Sequence, residues 1–150
     1  MDSEQDDLAL VIKCDQGKLK IKPLRYEHWD SEHAYDRSWV QTAIILDIDG
    51  FVGNYIASLQ DVDFAVLKRD FQLCLADLNK SFTFEVAEHA ITLRISGDGL
   101  GHFYIKGVCE QPNSSLDFEM TFDQSFLPSM IDELEAITTQ FPYNKKEFSI

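Results

Sequence analysis

Long apolar runs are missing from this chain of 150 residues. Crossing a bilayer as a helix takes about 18 or more consecutive apolar side chains, so no helical membrane span is expected. Positive charge is also scarce: 13 Lys and Arg stand against 26 Asp and Glu, a net charge of −13. Phosphate backbones and anionic lipid surfaces would be repelled, so neither direct nucleic-acid binding nor membrane association is expected. Cysteine is limited to Cys14, Cys74 and Cys109, an odd number, far apart and without a CxxC pair. Reduced, structural thiols are the reading. The opening MDSEQDD lacks the basic start of a signal peptide, and the expected location is the cytoplasm.

What is present is the material of a core. Hydrophobic residues make up 45% of the chain, with 11 Phe, 5 Tyr and 2 Trp. This length and composition suit one compact domain over residues 1–150. The acidic excess runs through both halves: Met1–Leu75 carries 14 acids and 8 bases, Ala76–Ile150 carries 12 and 5. Such a surface keeps a protein soluble, and it attracts a basic partner protein.

Hydrophobic periodicity orders the elements. LALVIKC and KLKIKPL read as two short strands around a turn at Asp15-Gln16-Gly17. From Val40 the chain alternates, with Val40, Thr42, Ile44, Leu46 and Ile48 on one side and Gln41, Ala43, Ile45 and Asp47 on the other. Asp49-Gly50 is a preferred pair for a two-residue type I′ turn. Folding the chain back there sets Ile48 opposite Phe51, Leu46 opposite Gly53, Ile44 opposite Tyr55, Thr42 opposite Ala57 and Val40 opposite Leu59. A helix follows, capped by Asp63 and running to Asn79, with Phe64, Leu67, Phe71, Cys74, Leu75 and Leu78 on its apolar stripe. Four more strands are marked by Phe82, Phe84 and Val86; by Ile91, Leu93 and Ile95; by Phe103, Ile105 and Val108 past a bulge at Gly107; and by Leu116, Phe118, Met120 and Phe122. A second helix extends from Ser125 to Gln140, with Pro128 in its first turn and Leu127, Met130, Ile131, Leu134, Ile137 and Phe141 buried. The predicted fold class is α+β, in the order β4-α-β4-α, with about eight mainly antiparallel strands packed with two amphipathic helices. Sliding the chain by 63 residues superposes Phe64 on Leu127, Leu67 on Met130 and Phe71 on Leu134, as a duplicated β4α unit would.

Three stretches invite chemistry. AIILDIDG resembles the first motif of the haloacid dehalogenase phosphatases, in which Asp47 would be the nucleophile and Asp49 the acid/base partner of a Mg-dependent reaction. That fold requires a helix after the strand in a doubly wound sheet, and a strand follows here. SGDGLG, Ser96–Gly101, has the wrong spacing for a dinucleotide loop and leads into a strand instead of a helix N-terminus, so it reads as a hairpin turn with residues at positive φ. The Pro23–Ser38 stretch is long, polar and aromatic, as functional loops often are. His28 and His33 sit there among Asp30, Glu32 and Asp36, but nothing in their spacing fixes a metal geometry. His89 and His102 have no Ser or Cys partner that the sequence can place beside them. No catalytic, cofactor-binding or metal-ligating residue is assigned, and no cofactor is expected.

Taken together, AYDRSWV (Ala34–Val40), DGFVGNYIASLQDVDFAVLKRDFQLCLADL (Asp49–Leu78), GDGLGHFYIKGV (Gly97–Val108) and LDFEMTFDQSFLPSMIDELEAI (Leu116–Ile137) resemble, in that order, segments of the WapI-type immunity proteins. The likeness runs from Ala34 to Phe141 and leaves Met1–Pro23 outside. It implies a non-enzymatic, bacterial antitoxin of a polymorphic toxin system of contact-dependent inhibition. Such a protein would bind and neutralise a cognate toxin C-terminal domain, commonly a nuclease and expected to be basic, in the cytoplasm. The family's motifs name no catalytic residue. For an interface, the residues selected are Trp29 and Tyr35 as aromatic anchors, with Asp30, Glu32 and Asp36 supplying charge. A phosphatase using Asp47 and Asp49, and a structural or ligand-binding α+β module, stand as the alternatives.

Overall fold

A computed structural model describes residues 8–146. The expected α+β architecture is present: two four-stranded antiparallel sheets, each strand paired with its neighbour in sequence. The first sheet consists of β1 (Leu10–Cys14), β2 (Gly17–Tyr26), β3 (Trp39–Ile48) and β4 (Phe51–Gln60). A one-turn helix α1 (Ala34–Arg37) interrupts the connection from β2 to β3, and helix α2 (Asp61–Ala76) follows β4. The second sheet consists of β5 (Ser81–Glu85), β6 (Ile91–Gly97), β7 (His102–Gln111) and β8 (Ser114–Asp123). A 3-10 turn at Gln124–Phe126 then leads into helix α3 (Leu127–Gln140). Each half is thus four strands and a long helix, the architecture that the 63-residue offset implies.

The central hairpin has the predicted register throughout, from Ile48 opposite Phe51 to Val40 opposite Leu59. Asp49 (φ 52°) and Gly50 (φ 87°) both take the left-handed backbone that a type I′ turn demands. That geometry rewards Asp-Gly and sends the chain straight back as a strand. Asp47 stands exposed on the outer face between Lys18 and Val52. No helix follows β3, and every strand pair among the described residues is antiparallel, so a nucleophile of the dehalogenase type lacks its context there.

The inward residues of both sheets and both long helices join in one contiguous apolar core. Phe71 of α2 lies edge-on to Phe82 at 5.7 Å and to Phe122 at 6.2 Å, and Phe122 stacks on Phe103 at 5.2 Å. Each such aromatic pair adds about 0.5–1.5 kcal/mol beyond its buried area. Lys68 of α2 reaches Glu135 of α3 at 2.9 Å, a pair at the surface that orients the two helices more than it stabilises them.

Several local readings change. α2 begins at Asp61 with Gln60 as its N-cap, and Asp63 is the third residue of its first turn, where its carboxylate accepts the Gln60 N–H at 2.8 Å. A carboxylate there works from inside the helix instead of ahead of it. The helix ends at Ala76, and Leu75 is about half exposed instead of buried. Gly107 makes no bulge: it pairs with Leu93 and Phe118 in regular register, so alternation continues to Cys109, which is buried where Val108 was expected to be. The bulge lies instead in β2, where Pro23 pairs with Thr42 and Arg25 with Gln41, leaving Leu24 extra. Proline has no N–H to give a ladder, and bulges accommodate it.

Asp98 shows why SGDGLG is a turn. Its carboxylate accepts the Leu100 N–H at 2.7 Å and the His102 N–H at 3.1 Å, and lies 2.9 Å from His102 Nδ1. Those amide bonds first, then the histidine, hold the Asp98 carboxyl below the usual range. Gly99 and Gly101 both have positive φ, as expected.

Candidate partner-binding site

The β2 bulge builds one wall of the site. Before it Leu19, Ile21 and Pro23 face the core; beyond it the phase shifts by one, so Tyr26, opposite Val40, turns inward. The Tyr26 ring packs on Phe141 at 5.1 Å, and its hydroxyl donates to Asp61 Oδ2 at 3.2 Å and lies 3.3 Å from the Pro142 carbonyl. Burial, then the neighbouring Asp61 charge, pushes the phenol well above its ordinary pKa. Strand β2, the first turn of α2 and the chain after α3 therefore meet at one hydroxyl.

The segment from Glu27 to Ser38 closes over this meeting point. Its backbone starts as an extension of the sheet, with the Glu27 N–H on the Trp39 carbonyl at 2.9 Å, and the Glu27 carboxylate accepts the Ser58 hydroxyl at 2.6 Å. Arg37 Nη1 donates to the Ser31 carbonyl at 2.6 Å, and the Ser31 hydroxyl donates to Asp36 at 3.2 Å. Ser38 is buried; its carbonyl accepts the Asp61 N–H at 2.9 Å and its hydroxyl accepts the Gln60 amide at 3.2 Å. The segment is thereby tied to the N-terminus of α2 instead of being a free loop.

Of the residues selected from sequence, Trp29 exposes 74% of its surface, and Asp30 and Glu32 are exposed beside it in the chain. Tyr35 is exposed too, yet its ring meets Trp39 edge-on at 5.8 Å, and Asp36 is half-buried and engaged by Ser31. Trp29 and the two acids are presented outward, whereas Tyr35 and Asp36 also shape the segment. His28 lies 4.0 Å from Glu27, and among the described residues no three His, Cys, Asp or Glu side chains gather as a metal site.

Sequence reasoning missed the cavity beneath. Tyr26, Trp29, Ser38, Asp61 and Tyr143 help to line an open cavity of about 300 Å³. Asp61 is only 4% exposed, and its Oδ1 is buried without a hydrogen-bond partner, although the adjacent Val62 amide favours the charged carboxylate. Burial is the main reason that the Asp61 carboxyl is pushed up to about 6, against the lowering pull of the Tyr26 hydroxyl. Asp63 is pushed up to about 6 by the same cause. The available sequence signal was the acid Asp61 at the start of α2, but its partner Tyr26 lies 35 residues upstream.

Charge is more segregated than composition suggests. Lys13, Lys18, Lys20, Lys22 and Arg25 all point to the outer face of the first sheet, as the pairings Lys13 with Lys18, Lys20 with Ile45, Lys22 with Ala43 and Arg25 with Gln41 require. The Glu27–Asp36 segment instead carries Glu27, Asp30, Glu32 and Asp36 and no Lys or Arg. A larger open groove, of about 870 Å³, runs between the β3–β4 turn at Asp49 and Phe51 and the outer face of the second sheet at Arg94, Lys106 and Glu119.

The paired β4α units and the segment bound over α2 define an α+β protein with a shaped, partly acidic surface. A solved structure shares this architecture: Trypanosoma brucei MRP1/MRP2 matches with a TM-score of 0.50 at 12% identity, over 92% of this chain and 89% of that one. A guide-RNA-binding protein complex bound to a guide RNA (TM-score 0.49, 12% identity, 93% of this chain and 96% of that one) and the plant transcriptional regulator PBF-2 (TM-score 0.43, 13% identity, 90% and 80%) also match. At 12% identity the likeness to MRP1/MRP2 concerns the fold alone. No curated protein sequence matches the chain. The chain belongs to the WapI-like immunity protein family, whose sequence model matches residues 10–142. The match takes in β1, the β1–β2 turn and β2 as far as Pro23, all outside the resemblance carried by the motifs.

Proposed function

We propose that the protein is a non-enzymatic immunity protein that neutralises a cognate toxin domain by stoichiometric binding in the cytoplasm. Membership of the WapI-like immunity family over residues 10–142 carries this reading. The proposed contact surface is the Glu27–Arg37 segment, with Trp29 as anchor and Asp30 and Glu32 as flanking charges; Tyr35 and Asp36 hold its shape. A tryptophan with 74% of its surface in solvent is an unusual use of a large apolar ring, and such rings concentrate binding energy when a partner covers them. The partner of best fit is basic, because the segment is acidic and the molecule as a whole carries −13. Nucleases present positive charge where they hold their substrate, so a nuclease domain is the toxin class we favour. The basic outer face of the first sheet would repel such a domain, which directs it toward the loop side.

The test is co-expression with the toxin domain encoded beside this gene. The expected outcome is rescue of growth and a 1:1 complex that weakens as salt is raised. Lack of both rescue and complex formation, with the toxin shown to be active, would overturn the reading.

A further inference from the structure

Asp61 keeps one carboxylate oxygen without a hydrogen-bond partner, with only the adjacent Val62 amide and the Tyr26 hydroxyl favouring the charge. Its Oδ1 is buried and unpartnered, while Oδ2 already holds the Tyr26 hydroxyl. Buried polar atoms are rarely left open, and a buried carboxylate oxygen is especially unfavourable without a donor. The surroundings select the donor. Trp29, Tyr26 and Tyr143 are among the lining residues, and aromatic side chains attract ammonium and guanidinium groups. Arg37 also lines the cavity, but its Nη1 is engaged by the Ser31 carbonyl at 2.6 Å and no ion pair joins it to Asp61. Asp63, two residues on in the same first turn of α2, is committed to the Gln60 N–H at 2.8 Å. An anion would meet the Asp61 carboxylate, and at about 300 Å³ the space is at the small end of ligand cavities, suited to the tip of one side chain.

We propose that this cavity is a socket for a single lysine or arginine side chain of the toxin domain, with Asp61 as its counter-ion and the Trp29 ring as its outer wall. The proposal rests on the immunity reading and adds to it where the key residue of the partner goes. The socket turns Asp61 from an unfavourable buried charge in the free protein into a paired one in the complex, so the pairing contributes to specificity for a partner with a cation at that point.

The experiment has an arm that needs no toxin. The intact protein is titrated with methylguanidinium and with n-butylammonium, with N-methylurea as the uncharged control, following amide shifts and the Asp61 carboxyl by NMR. The expected result is saturable, weak binding confined to Tyr26, Trp29, Ser38 and Asp61, absent with N-methylurea and absent in Asp61→Asn. Since the Asp61 carboxyl takes up its proton at about 6, binding should also weaken as pH falls through that value. Shifts that persist in Asp61→Asn, appear equally with N-methylurea, or leave the cavity untouched would overturn the socket while leaving the immunity reading intact. With the toxin domain in hand, Asp61→Asn should lower affinity by about 30-fold or more, with the fold of the variant verified by its thermal transition. An unchanged affinity alongside small-cation binding would overturn the assignment of the toxin as donor.

Discussion

Gly107 of β7 lies opposite Phe118 of β8, and a β-carbon on Gly107 would stand 2.1 Å from the Cζ of that ring. The ring fills the space that the missing side chain leaves, which is why β7 stays regular through a glycine. Gly107→Ala must displace either a phenyl ring of the core or the strand itself. The expected loss of stability is about 1–3 kcal/mol, the range for overpacked cores. A urea unfolding curve measures it as a lower midpoint at unchanged slope; no change in midpoint would mean that the ring moves aside freely.

Asp61 and Asp63 make stability depend on pH in an uncommon direction. Both carboxyls are raised from 3.8 to about 6, chiefly by burial, so the folded protein holds these protons more tightly than the unfolded chain does. Their contribution is therefore present at low pH and lost as pH rises through the interval from about 4 to about 6. Asp61→Asn removes one of the two. At about pH 7 the variant should equal or exceed the wild type in denaturant stability, with the difference closing near pH 4. A deficit of the same size at both pH values would show that Asp61 is not a desolvated charge.

Trp29 and Tyr35 should separate in a binding assay. Trp29 has no aromatic partner among the described ring pairs and 74% of its surface exposed, so Trp29→Ala should leave the thermal transition in place. Its effect should fall on the toxin complex, at about 2 kcal/mol or more, roughly 30-fold in affinity, for an anchor of this type. Tyr35 lies edge-on to Trp39, and Tyr35→Ala should show a loss of stability as well. Calorimetric titration alongside melting of each variant checks both; a Trp29→Ala complex of unchanged affinity would move the interface elsewhere.

Asp47 and Asp49 provide the last test. Asp49 sits at φ 52° in a two-residue turn and Asp47 on an exposed antiparallel face. Incubation with generic phosphoesters and Mg should show no hydrolysis that Asp47→Asn abolishes. Hydrolysis lost in that variant would overturn the account of the hairpin.

The hairpin was legible in the sequence because everything that sets it is local. A strand repeats its side chains every two residues, so one Asp-Gly turn and two alternating runs suffice to fix ten pairings. The amphipathic faces of α2 and α3 were legible for a similar reason, apart from their ends. Caps were harder: Gln60 and Asp63 share the work, and only coordinates show which of them stands outside the helix. The regular pairing at Gly107 was not legible, because a glycine in a strand suggests a bulge and the Phe118 ring that explains it belongs to another strand.

By itself, then, the sequence determined the order of elements, the register of the central hairpin and the family, since each follows from periodicity, turn chemistry or short motifs. The tertiary structure decided where charge and polarity meet. A one-residue bulge after Pro23 turns Tyr26 inward, and Asp61 and Pro142, which lie 35 and 116 residues further along, come within reach of its hydroxyl. Segregation of five cations onto one sheet face likewise depends on pairing between strands. No local pattern encodes such a meeting, because the groups that form the cavity approach one another only when the two halves of the chain close around a common core.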